Sequence, residues 1–187
     1  MSEQPSTAAR PAVEEVDVVG IGFGPSNLAL AVALSEHNAR VPEAERLTFR
    51  FLERQERFGW HRGMLLEDAT MQISFLKDLV TLRNPQSPFT FLAYLKDKGR
   101  LVDFINYGTA FPTRLEFHDY LEWAAARFTE HVDYGVEVTE VVPVETGSAV
   151  GLAEVVGFAD GGPVRVRARN VVLATGLTPN VPRGIAL

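Results

Sequence analysis

The residues Gly20-Ile21-Gly22-Phe23-Gly24-Pro25-Ser26-Asn27 could hold a phosphate. They follow a short β-branched run at 16–20 and open an Ala- and Leu-rich stretch at 27–36. A dinucleotide fingerprint occupies that position: Gly20 permits a tight turn, and Gly22 lets a pyrophosphate approach the backbone. The following helix offers free N–H groups and a partial positive charge to the phosphate. The pattern departs from G-x-G-x-x-G, because Pro25 stands at the third glycine position and Gly24 comes one residue early. Proline suits the first turn of a helix, so Pro25 and Ser26 keep the anion site open. The competing reading is a tight structural turn.

Glu53 closes a second β-branched and aromatic run at 48–53. An acid there can accept hydrogen bonds from ribose hydroxyls and disfavours a 2′-phosphate, which points to FAD or NAD. Its bland alternative is a solvated surface carboxylate. Ala174-Thr175-Gly176 ends an apolar run at 170–176 and forms a second signature, at which a strand end returns to the flavin. The two signatures together favour FAD over a plain NAD domain.

The elements that must position these residues begin with strand–turn–helix–strand, a βαβ unit that predicts a parallel sheet. Residues 1–15 are rich in Ser, Pro, Ala and Glu and read as a mobile tail, with order beginning at Val16. The 38–46 stretch contains Pro42 and reads as a loop. Residues 54–84 lack a clean period, which in a compact domain often marks function. A helix is expected after them, with Ser87 as N-cap, Pro88 at the first position, Phe91, Leu92 and Leu95 on one face, and Gly99 as the stop. Another spans 114–128, with Phe117, Leu121, Ala124 and Phe128 as its buried stripe. From Tyr134 the pattern turns to strands. Strict alternation at 164–169 sets three arginines toward water, and 170–176 reads as a separate buried strand.

Composition excludes several function classes. The chain is 46% hydrophobic and 22% charged, with net charge −6 and no basic block, which argues against nucleic acid or an anionic membrane. It has no cysteine, so disulfides, cysteine nucleophiles and thiolate metal sites are excluded. No metal site is expected: His37, His118 and His131 lack ligand spacing and read as solvated or structural. Neither a signal peptide nor a membrane-length apolar run is visible, so a cytoplasmic protein is expected.

Five blocks, in order, carry a family resemblance: 20–27; Trp60-His61-x-Gly63-Met64; 71–79, with Ser74-Phe75-Leu76-Lys77-Asp78-Leu79 at its heart; Asn84-Pro85-Gln86-Ser87-Pro88-Phe89; and 111–121. The chain from about Val16 to Pro182 resembles the L-ornithine and L-lysine N-monooxygenases of siderophore biosynthesis. The wording at 82–85 and 101–106 is similar to the ornithine branch.

The resemblance implies an α/β two-dinucleotide-binding flavoprotein: a Rossmann-like FAD domain over 16–187 with a parallel sheet and a β-meander. A 54–130 insert of helices and loops would cover the flavin. The NADPH domain would lie outside this chain, in a remaining C-terminal half. It implies FAD and NADPH as cofactors, molecular oxygen and an amino acid or amine as co-substrates, and a homo-oligomer. The implied reaction is hydroxylation of a side-chain amine through a C4a-hydroperoxyflavin. That nucleophile must be a neutral amine, and deprotonating an alkylammonium of pKa about 10.4 at pH 7 costs roughly 4–5 kcal/mol.

By the same resemblance Lys77 holds the substrate carboxylate, against the alternative of a surface charge beside Asp78. Gln72 lies between flavin and substrate. Met71 packs on the isoalloxazine, or is simply core. Trp60 and His61 contact the flavin, or are core. Val138 meets the adenine end through its backbone, and Arg54 is among the cofactor-binding residues. Arg114 lies near flavin or nicotinamide, or only opens its helix. Lysine or a diamine remains open as substrate, as does a non-catalytic FAD-binding fragment. The isolated 187 residues are expected to be inactive.

Overall fold

The computed structural model describes residues 13–146, 149–177 and 184. The N-terminal residues 1–12 and the Asn180-Val181-Pro182 segment lie outside them. Strand β1 (Glu14–Ile21) starts two residues before Val16, because Glu14 and Glu15 pair with Val166 and Arg167. Helix α1 (Pro25–Asn38) and strand β2 (Phe49–Glu53) complete the expected unit, with β1 and β2 parallel. The β1 burial pattern is nearly continuous after Val16, as a strand covered on both faces requires.

Three helices fill the insert: α2 (Phe91–Asp97), α3 (Leu101–Tyr107) and α4 (Arg114–Ala125). The α2 start differs from the sequence expectation. Ser87 Oγ accepts the Phe89 N–H and closes a turn, while Thr90 Oγ1 accepts the Ala93 N–H and caps the helix. Its buried face is therefore Phe91, Tyr94 and Leu95, and Leu92 is exposed. Gly99 follows α2 in the left-handed region at φ +70°. The α4 stripe is buried as expected, although Phe128 lies in a 3-10 segment (Ala126–His131) beyond the helix.

Strands β3 (Val132–Tyr134), β4 (Glu137–Thr146), β5 (Ala149–Ala159) and β6 (Gly162–Leu173) follow. The six strands run β3-β2-β1-β6-β5-β4 across the sheet. The first four are mutually parallel, and β4, β5 and β6 form an antiparallel meander. The two strands expected over 164–176 are one. Asn170 does not break it, because its Nδ2 donates to the Asp17 carbonyl of the neighbouring strand. The three arginines do face outward, where Arg165 and Arg167 pair with Glu154. The end of β6 is not buried: Leu173 is 71% exposed.

The main core joins Leu28, Ala31 and Val32 of α1 to Phe91, Tyr94, Phe117 and Leu121 of the insert. A smaller one under the meander contains Val19, Leu52, Val155 and Val166. Among the described residues no helix is long and apolar enough to cross a membrane.

Candidate cofactor and substrate site

Register brings the two glycine signatures together. Ile21 stands opposite Leu52 on one side and Leu173 on the other, so β1, β2 and β6 end at one sheet edge. The Ala174 N–H then donates to the Ile21 carbonyl at 2.9 Å. Gly22 has φ +84°, and a Cβ there would lie 2.5 Å from the Ala174 carbonyl oxygen and 3.3 Å from Thr175 Cα. Gly176 is also left-handed, at φ +76°. Gly20 has a different reason to be glycine. A Cβ would strike the Phe51 ring at 2.3 Å and Asn27 Nδ2 at 2.8 Å, so this position serves packing. Around Gly24 a Cβ would meet nothing within 4 Å, which leaves open space at the mouth of α1.

That mouth is built for an anion. Gly24 is the N-cap and Pro25 follows it, with no side-chain cap and no acidic residue in the first turn. Among the described residues the N–H groups of Gly24, Ser26 and Asn27 have no hydrogen-bond partner. A helix start with free donors, uncompensated dipole and open space suits a pyrophosphate. The residues present therefore fit a dinucleotide.

Glu53 is 7% exposed and braces the turn. Its Oε2 accepts the Phe23 N–H at 2.6 Å and its Oε1 the Gln55 N–H at 2.8 Å. The bland alternative of a solvated carboxylate does not hold. Each oxygen keeps a further lone pair to accept a ribose hydroxyl. Phe23 itself drops its ring into the core, 5.0 Å from the Phe51 ring. Nearby, burial together with the charges of Glu53 and Glu122 pushes the Tyr134 hydroxyl up to about 12, so it stays neutral. Arg54 is exposed beside this brace. The start of β4 docks on the same segment through Gly135 N–H to Gln55 O and Val136 N–H to Glu53 O. Val138 follows, half-buried, paired with Gly157 beside a register shift.

The second group of candidate residues lies in the 60–78 segment, which is tied by backbone bonds to the 110–114 stretch. Met71 N–H donates to Pro112 O, Phe75 N–H to Ala110 O, and Arg114 N–H to Ala69 O. Met71 is 5% exposed and belongs to the main core. Gln72 beside it is exposed. Arg114 opens α4, its backbone tied to Ala69. Trp60 is half-buried against Phe117, with ring centroids 6.2 Å apart, and its ring lies 4.9 Å from that of His61. His61 is exposed and left-handed at φ 46°.

Lys77 ends a 3-10 turn (Phe75–Lys77) and is exposed. Among the described residues it makes no ion pair. The neighbouring Asp78 is committed elsewhere. Its Oδ1 accepts the Val80 and Thr81 N–H groups, and its Oδ2 accepts the Thr81 hydroxyl and the Phe91 N–H. Tyr120 adds a second clamp, accepting the Leu79 N–H and donating to the Phe89 carbonyl. Burial first, then the Asp78 charge, pushes its hydroxyl above the ordinary tyrosine range.

The first group, at the sheet edge, thus contains Gly20, Gly22, Gly24, Pro25, Ser26, Glu53, Thr175 and Gly176. The second presents Gln72 and Lys77 from a clamped segment. Sequence reasoning did not foresee the bracing roles of Asn27 and Asp78; of the solvated and structural readings of His118 the structural one holds, since it is buried with its Nε2 facing the Trp60 N–H at 3.5 Å. His118 reaches a partner 58 positions away, and Asp78 adds to its local Val80 and Thr81 bonds one to the Phe91 N–H 13 positions on, which no local spacing announces.

The sheet order, the parallel β1-α1-β2 unit and the glycine turn define a Rossmann-like dinucleotide-binding fold of the flavoprotein type. The particular family follows from comparison. Residues 14–186 match the L-lysine 6-monooxygenase/L-ornithine 5-monooxygenase family, and the chain belongs to it. It is 50% identical over 169 residues to an L-ornithine N(5)-oxygenase of Arthrobotrys oligospora, covering 89% of this chain and 34% of that protein. The Kutzneria sp. 744 ornithine N-hydroxylase KtzI, with reduced FAD, NADP+ and L-ornithine, superposes with a TM-score of 0.84 at 49% identity, over 92% of this chain and 40% of that one. The Pseudomonas aeruginosa ornithine hydroxylase PvdA also gives 0.84, at 43% identity, over 90% and 41%. The chain therefore spans well under half the length of these relatives.

Proposed function

We propose that the protein hydroxylates the side-chain amine of L-ornithine, using FAD, NADPH and molecular oxygen, in the making of a hydroxamate siderophore. The bound flavin, once reduced by NADPH, supplies activation of oxygen and delivery of one oxygen atom to the amine. The chain's own residues do the rest. The N–H groups of Gly24, Ser26 and Asn27 and the α1 dipole hold the pyrophosphate. Glu53 fixes the turn and offers a lone pair to the ribose. Gln72 orients the substrate amine toward the flavin through its amide, and Met71 supports the apolar side of that space. Lys77 pairs with the substrate α-carboxylate as a flexible cation. Trp60 and His61 with the 54–130 insert exclude water, which keeps the amine neutral and the activated oxygen from decaying.

The observation that carries this reading is Lys77, a cation that makes no ion pair among the described residues and stands beside a fully engaged carboxylate, in a chain whose glycine turn fits a dinucleotide. A carboxylate-bearing substrate uses that cation and a diamine does not. Ornithine is favoured over lysine by the relatives named for ornithine. The test is hydroxylamine formation by the full-length protein with FAD and NADPH on L-ornithine, L-lysine and putrescine in parallel. Product from ornithine well above the other two is expected. Product chiefly from lysine or putrescine overturns the substrate, and NADPH oxidation yielding only peroxide with all three overturns the reaction.

A further inference from the structure

Asn27 is 1% exposed in the first turn of α1, yet its side chain does not cap that helix. Its Nδ2 reaches back to the Gly22 carbonyl at 2.6 Å and, more weakly, to the Ile21 carbonyl at 3.4 Å. Its Oδ1 is buried without a hydrogen-bond partner among the described residues. Only this orientation of the amide is tenable. Turned over, it would set Oδ1 against the Gly22 oxygen, acceptor to acceptor at 2.6 Å.

The peptide unit joining Gly22 to Phe23 is thereby held at both ends. Asn27 Nδ2 takes its carbonyl and Glu53 Oε2 takes its N–H, each at 2.6 Å. The lock matters at this place because Gly22 is left-handed, and a glycine there leaves the neighbouring peptide free to turn over. A turned peptide would set the Gly22 carbonyl against the Glu53 carboxylate and the Phe23 N–H against the Asn27 amide N–H, breaking both bonds and shifting the adjoining backbone that carries the free N–H groups of Gly24, Ser26 and Asn27.

We propose that Asn27 is a positioning residue for the flavin dinucleotide: with Glu53 its side chain locks the Gly22–Phe23 peptide, so that the backbone just after it holds the Gly24, Ser26 and Asn27 N–H groups in place for the pyrophosphate. The inference rests on the FAD reading above and adds to it a side chain that touches the turn and not the phosphate. A Cβ at Gly20, besides striking the Phe51 ring, would press on the same Nδ2 at 2.8 Å.

The test uses the full-length apoprotein, titrated with FAD, and the ³¹P resonances of the bound pyrophosphate. Asn27→Leu keeps the branched skeleton and removes the donor. Asn27→Asp keeps the shape and sets a carboxylate against the carbonyls. Asn27→Leu is expected to weaken FAD by about tenfold, as loss of one buried hydrogen bond does. Asn27→Asp should weaken it further, and both should displace the ³¹P resonances. A residue that only fills space would lower the apoprotein Tm while leaving FAD affinity within twofold and the resonances in place. That result overturns the lock. Should Asn27→Leu not fold, Asn27→Ser is judged by the same two readouts. Failure of the wild-type protein to bind FAD would overturn the cofactor reading itself, an outcome distinct from wild-type binding with unaffected variants.

Discussion

Gly22 and Ala174 touch so closely that a single methyl group on Gly22 would stand 2.5 Å from the Ala174 carbonyl oxygen. This contact ties the first glycine signature to the second across the β1–β6 pair, which otherwise ends at Ile21 and Leu173. Gly22→Ala must bear both the contact and the left-handed φ of +84°. The two together are expected to cost about 2–4 kcal/mol of stability. Gly24→Ala meets nothing within 4 Å. It should leave apoprotein stability within about 0.5 kcal/mol while weakening FAD, because the added methyl enters the space in front of the free N–H groups. Thermal melts of both apoproteins beside FAD titrations separate a glycine needed by the fold from one needed by the ligand.

The N-terminal end of β1 gives a prediction at acid pH. The backbone N–H of Thr48 and then its hydroxyl hydrogen-bond to Asp17, and they hold its carboxyl below the usual carboxylate range despite some burial. A carboxyl whose pKa is depressed in the folded state adds stability above its unfolded pKa and loses it as pH falls through the folded value. Stability should therefore decline on acidification below the ordinary carboxylate range. Asp17→Asn should lower stability at neutral pH and flatten that limb. Urea denaturation of both proteins between neutral pH and strongly acid pH measures the difference. Parallel limbs in the two proteins would assign the acid loss elsewhere.

The parts of the fold that could be read from sequence are those with local causes. The β-branched run before Gly20, the Pro25 helix start and the alternation at 164–169 each carry their own signal. Where two local signals competed, the reading slipped. Ser87-Pro88 looks like a cap and first helical residue, but Thr90 offers the same chemistry three residues on and wins, with Ser87 spent on a turn. Helix α3 hid because it is seven residues long and leaves Val102, Ile105 and Tyr107 exposed, so it has almost no apolar stripe. Strand β3 is three residues long and exists by pairing with β2. For the site, residue types near the glycines were legible, but the bonds that fix them were not. Whether Glu53 is a surface acid or a brace depends on the Phe23 N–H, 30 positions away in the chain.

Asp78 is the anchor of the Lys77 turn, and its loss should be felt in both stability and substrate binding. Asp78→Ala leaves the Phe91 N–H, the Val80 and Thr81 N–H groups and the Thr81 hydroxyl without their shared acceptor. Losing charge-assisted bonds of this kind is expected to cost about 2–4 kcal/mol. If the anchor also sets the position of Lys77, the full-length variant should show a raised KM for L-ornithine at a temperature where it remains folded. An unchanged KM in a destabilised protein would confine Asp78 to the fold.

Lys77 itself should behave in the opposite way. It is exposed and makes no ion pair among the described residues, so Lys77→Met should move stability by no more than about 0.5 kcal/mol. A hydrogen bond from a charged donor contributes about 1.5–3 kcal/mol, so KM for L-ornithine should rise by roughly 10- to 150-fold. FAD affinity should not change, because Lys77 lies in the clamped segment and not at the glycine turn. Putrescine supplies the internal control: lacking a carboxylate, it cannot use the cation, so whatever weak turnover it supports should be the same in both proteins. Steady-state kinetics on the two substrates decide the matter. An ornithine KM that stays within twofold would remove Lys77 from the substrate site, and a loss shared equally by putrescine would assign it a role in the fold or at the flavin instead.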